Sequence, residues 1–181
     1  DRDAFKDPLL GISNRRFFMQ KLALLLSSED YFREGYIVLI ELFGLAEYNK
    51  QFGFQKGDDL IINLNQIIEK NQQQDFLHLH ARIAGASFAM VVFNDSKTID
   101  NQIKTTLDAI NSFIHDNKAP LSIAIGAVAY RPNTKLGDIL SMADHAVQQA
   151  NNKGLNSYHI LTKTSGSSRL CVVCIKNVNL N

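Results

Sequence analysis

Arg82-Ile83-Ala84-Gly85-Ala86-Ser87-Phe88-Ala89-Met90-Val91-Val92 is the stretch on which the fold turns. Apolar runs flank a turn of small residues, so it reads as a strand, a tight reversal and a return strand. Gly85 stands at the reversal, where a hairpin favours positive φ. Upstream, Phe76 to Ile83 alternates. Leu77, Leu79, Ala81 and Ile83 are expected on one face, and Phe76, His78, His80 and Arg82 on the other.

Working outward, Tyr36 to Leu42 is β-rich and apolar on both faces, with one carboxylate, Glu41; this suits a buried central strand. Leu45 to Phe52 reads as a short helix ended by Gly53. Asp58 to Asn71 carries Leu60, Ile61, Leu64, Ile67 and Ile68 at helical spacing. Phe17 to Leu26 is a further helix, with Ser13 or Asn14 as its cap. Beyond the hairpin come a helix over Ile99 to Ile114, a strand over Leu121 to Tyr130, a helix over Leu136 to Asn152 closed by Gly154, and a short strand over Tyr158 to Leu161. Helices interleave with strands and one hairpin makes the sheet mixed, so the class is α/β (α+β), a central five-stranded sheet flanked by helices.

The chain has 181 residues, enough for one domain with a sizeable core. Hydrophobic content of 45% and charged content of 20% place it among ordinary globular domains. A net charge of +1 gives no basic field for nucleic acid. No apolar run spans a bilayer and no secretory signal opens the chain, so a cytoplasmic domain without direct membrane contact is expected. Asp1 opens the chain in mid-pattern, as in a domain excised from a longer protein. Cys171 and Cys174 have no second pair to complete a zinc site and read as small apolar residues. Thr162 to Ser168 reads as a linker. Residues 1–162 form the expected domain. Residues 163–181 form a tail that starts a following domain, pairs as an edge strand, or is foreign to the domain.

The hairpin resembles the signature of the GGDEF family of diguanylate cyclases, R-x-G-G-[DE]-E-F, with Ala84, Gly85, Ala86, Ser87 and Phe88 at the signature positions. Other anchors follow in the family's order. Asp7 to Arg16 resembles D-x-L-T-G-L-x-N-R-R. Glu41 to Asp58 resembles D-x-D-x-F-K-x-x-N-D-x-x-G-H-x-x-G-D. Ser122 to Gly126 resembles S-x-S-I-G, and Ala143 to Asn156 resembles A-D-x-A-L-Y-x-A-K-x-x-G-R-N. The resemblance covers about residues 3 to 162 and implies the nucleotidyl-cyclase-like fold.

It also implies what the site has kept. The family joins two GTP molecules across two facing domains, using metal ions held by carboxylates, because Mg²⁺ is hard and takes oxygen ligands. The first metal acid falls at Glu41, one methylene longer; the other two acids fall at Ala86 and Ser87, which carry no carboxylate. The family's phosphate-facing cations fall at Ala46, Asn151 and Leu155. The Asn and Asp that read the guanine edge fall at Asn49 and Asp58, both present. The bland reading of that pair is that Asn49 ends one helix and Asp58 caps the next, after Gly57. The product-inhibition motif R-x-x-D falls at Asp75-Phe76-Leu77-His78 and has lost both charged residues.

The resemblance therefore implies a non-enzymatic domain with no cofactor, Mg²⁺ and GTP entering only through the vestigial Glu41, Asn49 and Asp58 site. Arg33 to Asn49 resembles the LapD-type branch in particular. In that branch a degenerate GGDEF domain sits between a membrane-linked helical relay and a degenerate EAL domain, and the parent is a cyclic di-GMP receptor controlling adhesion. Expected partners are an intramolecular EAL-type domain and an upstream signalling helix, with a homodimer as a further expectation and an inner-membrane anchor in the parent. The alternatives are a GTP-sensing domain that activates a linked phosphodiesterase and, last, an active cyclase with an altered signature. Outside this pattern, His78 and His80 share a predicted strand face, but no acid or Cys at metal spacing supports them. His145 reads as an ordinary helix residue, and Phe17, Phe18, Leu22, Leu25 and Leu26 as core.

Overall fold

In the computed structural model, which describes residues 2–28, 33–163 and 170–174, a mixed sheet is sandwiched between two helical layers. The chain opens with a 3-10 turn over Arg2–Phe5 and then runs β1 (Ser13–Asn14), α1 (Arg15–Ser27), β2 (Tyr36–Phe43), α2 (Leu45–Phe52), α3 (Phe54–Lys70) and β3 (Leu77–Ala84). It continues β4 (Ser87–Val92), α4 (Ile99–Asp116), β5 (Ser122–Ala129), α5 (Leu136–Asn152), β6 (Ser157–Lys163) and β7 (Leu170–Cys174). The strand order is β1-β3-β4-β2-β5-β6-β7. β1–β3 and β5–β6 are parallel; the other pairs are antiparallel.

β2 lies at the centre because both its faces are apolar; of its eight residues only Glu41 and Phe43 escape full burial. Val38, Ile40 and Leu42 pack with Leu60, Leu64 and Ile68 of α3 and Ile103, Leu107 and Ile110 of α4. Ile37 and Leu39 face the other way, onto Phe18 and Leu22 of α1 and Ala143, Ala146 and Val147 of α5. Asn14 caps α1, its Oδ1 accepting from the Phe17 N–H at 3.0 Å.

Several sequence expectations change. The five expected strands are all present, and the sheet has two more among the described residues, β1 and β7, one at each edge. β7 adds antiparallel to β6, so Leu170–Cys174 forms an edge strand. The linker read over Thr162 to Ser168 falls mostly outside the described residues, as do the side chains of Cys171 and Cys174.

The alternation of β3 is broken. Leu77 pairs with Val92 and Leu79 with Val91, so a bulge falls at His78. Leu77 is thereby turned to the α3–α4 side, away from Leu79, Ala81 and Ile83. His78 and His80 are separated too: His78 lies against Phe93 and His80 against Phe88 and Glu69. Gly85 does not take positive φ; the reversal is built with Gly85 outside the left-handed region.

Candidate functional site

The central register brings Glu41 of β2 opposite Ser87 of β4. Their side chains meet: Ser87 Oγ donates to Glu41 Oε2 at 2.5 Å, a charge-assisted bond. The β3–β4 turn, just before Ser87, is tied down at three points. The Leu42 N–H donates to the Ala86 carbonyl at 2.9 Å. Arg82 folds its guanidinium back onto the Gly85 carbonyl, with Nε at 3.1 Å and NH2 at 2.8 Å. The third tie runs to the N-terminal loop, where Arg82 lies 3.5 Å from Asp7. Asp7 in turn accepts from the N–H groups of Leu9 and Leu10. Phe88 is fully buried in the α3–α4 core, which anchors the return strand; Ala84 and Gly85 are exposed.

Glu41 and Ser87 line a cavity of about 220 Å³ between α1, α5 and the sheet, whose other charged residues are Arg15 and Asp144. Sequence reading gave neither of these a role; the signal was their place inside two of the quoted motifs. Arg82, quoted but unassigned, proves to be the clamp of the hairpin.

A divalent cation at this hairpin would need several oxygen donors in near-octahedral array. The hairpin and β2 offer one carboxylate, already bonded on one oxygen by Ser87; Ala86 offers no side-chain donor, and the rest of the cavity adds only Asp144 together with the cation of Arg15. That donor set does not fit a resident Mg²⁺. Ala46 on α2, Asn151 on α5 and Leu155 beyond it are all solvent-exposed and bring no cation to this end of the sheet.

Asn49 and Asp58 lie on either side of the α2–α3 junction. Gly53, with φ of 90°, stops α2 and lets α3 start at Phe54, four residues before the expected start. Asp58 is therefore an exposed residue inside α3 and not its cap. Asn49 does not end its helix either: it lies inside α2, which continues to Phe52, and its carbonyl accepts from the Gly53 N–H. Asn49 Oδ1 is buried against Gly57 and has no hydrogen-bond partner among the described residues. A Cβ at position 57 would overlap that oxygen, so Gly57 makes room for the amide.

On the opposite side of β3, burial lowers the pKa of His80, with Glu69 opposing the shift more weakly. Burial likewise lowers that of His78, helped by the positive charge of Arg33 and Lys21. His159 of β6 is pushed down to about 4 by burial and by Lys153, whose Nζ lies 2.5 Å from its Nδ1. Among the described residues no three His, Cys, Asp or Glu side chains gather as a metal site. No helix among them is long and apolar enough to cross a membrane.

The family model for the diguanylate cyclase GGDEF domain matches residues 4–157. "Probable diguanylate cyclase DgcT" of Escherichia coli K12 is 27% identical over 161 residues, covering 84% of this chain and 35% of its own length. Diguanylate cyclase DgcN of the same strain is 23% identical over 154 residues, covering 82% and 37%. The chain thus spans about a third of the length of these curated relatives. Among solved structures, the apo S helix-GGDEF-EAL form of Vibrio cholerae LapD superposes with a TM-score of 0.72 at 21% identity, covering 91% of this chain and 38% of that one. The GGDEF domain of Caulobacter crescentus DgcB in complex with c-di-GMP gives 0.73 at 17% identity, covering 90% and 97%. At these identities the superpositions establish the fold.

Proposed function

The chain belongs to the diguanylate cyclase GGDEF family, and from that premise we propose that it is a non-catalytic regulatory module of a cyclic di-GMP signalling protein. The observation that carries this reading is the Ser87–Glu41 hydrogen bond. Where the family's acids stand, a hydroxyl is bonded to the surviving carboxylate, and Ala86 supplies no ligand. Two carboxylates that repel each other attract a cation; a single carboxylate beside a neutral hydroxyl does so far less. The lack of cations at Ala46, Asn151 and Leu155 argues the same way for the triphosphate.

On this reading the domain works by contact. It docks on an EAL-type domain and an upstream helix of a membrane-anchored parent, and its two arrangements bias the output. The S helix-GGDEF-EAL arrangement of LapD supports that architecture. The test is synthesis: the purified chain at high concentration is incubated with GTP and Mg²⁺ or Mn²⁺, and products are separated by chromatography. No cyclic di-GMP is expected; turnover that tracks protein concentration overturns the proposal.

A second reading, a GTP-binding allosteric domain acting on a linked phosphodiesterase, is favoured by one observation. Asp58 is exposed beside Gly57, against which the unpartnered Asn49 oxygen lies. An amide and a carboxylate so placed have capacity left for a guanine edge. Calorimetry with GTP decides it: heat that Asp58→Ala abolishes supports it, and no heat at millimolar nucleotide removes it.

A further inference from the structure

At the β1 edge of the sheet a cleft of about 570 Å³ opens between the segment leading into α1, the C-terminal turn of α3 and β3. It shares no lining residue with the Glu41–Ser87 cavity: Phe17 of α1 lines the cleft and Phe18 the cavity. Its volume falls in the range of small-molecule sites. Phe5, Phe17 and Leu77 give it apolar walls, the two phenyl rings standing edge to face with centroids 5.8 Å apart. Charges of both signs stand on its lining: Lys6, exposed, and Glu69, whose side chain is 44% exposed. No ion pair joins them.

Glu69 is held from behind. Asn65, buried on α3, donates Nδ2 to Glu69 Oε1 at 3.2 Å. His80 Nδ1 stands 3.7 Å from the same oxygen, and the His80 side chain is only 8% exposed. His80 Nε2 is buried and has no hydrogen-bond partner among the described residues, and Nδ1 at 3.7 Å stands beyond hydrogen-bond distance of the carboxylate. Burial lowers the pKa of His80, with Glu69 opposing the shift, which favours the neutral imidazole beside the carboxylate. Glu69 Oε2 accepts no hydrogen bond among the described residues.

An apolar cleft with one positioned carboxylate and one separate ammonium group is complementary to a ligand that carries both charges. We propose that it binds a small zwitterion, a free amino acid with an apolar or aromatic side chain. The ligand's ammonium pairs with Glu69, its carboxylate with Lys6, and its side chain packs on Phe5, Phe17 and Leu77. A nucleotide fits less well, because its phosphates bring several negative charges to a cleft with one lysine and a carboxylate. The inference stands independently of whether the hairpin binds GTP, and it would give a non-catalytic domain a ligand signal of its own.

The test is an amide chemical-shift titration of the ¹⁵N-labelled 181-residue chain. The probes are L-phenylalanine, L-leucine, phenethylamine (no carboxylate) and 3-phenylpropionate (no ammonium). At least one amino acid is expected to move amides in residues 5–17 and 69–80, with a Kd on the order of 1 mM and each one-charge analogue about tenfold weaker. Glu69→Gln and, separately, the surface change Lys6→Met are each expected to weaken binding about tenfold while the hairpin amides keep their positions. No shifts at saturating concentrations overturn the proposal. So do analogues that bind as tightly as the amino acid, or binding that survives both substitutions. Lys6→Met alters an exposed side chain, so it keeps the test decisive even if Glu69→Gln perturbs folding.

Discussion

At the β3–β4 hairpin the named polar groups find their partners inside the protein: Ser87 on Glu41, Arg82 on the Gly85 carbonyl, the Leu42 N–H on Ala86. At the α2–α3 junction they do not. Asn49 Oδ1 is buried without a partner among the described residues, and Asp58 stands in solvent. A polar group with a partner inside the protein keeps less capacity for a ligand than one with none, and burial makes the unpaired state costly. The contrast suggests that the hairpin serves the fold and that the junction holds what binding capacity this end of the molecule retains.

Substitutions can break or sharpen this contrast. Phe88→Ala removes a fully buried ring from the hairpin's return strand and is expected to cost about 3–5 kcal/mol by urea unfolding. A cost below about 1 kcal/mol would mean that the hairpin is not anchored in the core. Arg82→Ala removes both bonds to the Gly85 carbonyl and leaves the half-buried Asp7 carboxylate without its cation. About 2–3 kcal/mol is expected, and Arg82→Lys, which cannot fork, should recover only part of it. Ser87→Ala deprives Glu41 of its donor and is expected to cost about 1 kcal/mol. If it stabilises the protein instead, the Ser87–Glu41 bond does not hold the hairpin to the central strand. Asn49→Ala is the smallest and most discriminating change. It removes a buried, unpaired oxygen from a helix, so it should be neutral or stabilising by up to about 1 kcal/mol, while weakening any GTP heat. A clear loss of stability would make Asn49 a structural residue and erase the difference between the two regions.

Elements with a strong period were legible. α5 spans Leu136–Asn152, as its apolar spacing predicts, and β2 is the buried central strand that its unbroken apolar run implies. The start of α3 was not, because its first turn carries no apolar stripe: Phe54 is 78% exposed and Gly53 supplies no side-chain cap. The face of Leu77 was hidden for a different reason. A bulge adds a residue to one strand only, and nothing in a single strand's alternation records what its partner does. β1 was missed because it has only two residues, and β7 was left as one of three alternatives because it lies beyond a polar tract. Of the candidate site, the identities of Glu41, Ala86, Ser87, Asn49 and Asp58 could be read directly. The Ser87–Glu41 bond could not, since it depends on strand register.

The sequence by itself determined the family, the interleaving of helices and strands, and which side-chain chemistry is present at each motif position, because these follow from residue identity and local period. Only the tertiary structure decided which polar groups satisfy one another and which are left unpaired. It closed Ser87 on Glu41, clamped Gly85 with Arg82, turned Asn49 onto Gly57, and set Glu69 on Asn65 and His80 beside a cleft. The physical reason is that a hydrogen bond between residues 46 apart in sequence, as between Glu41 and Ser87, depends on packing and register at ångström precision. No local pattern in the chain encodes that precision.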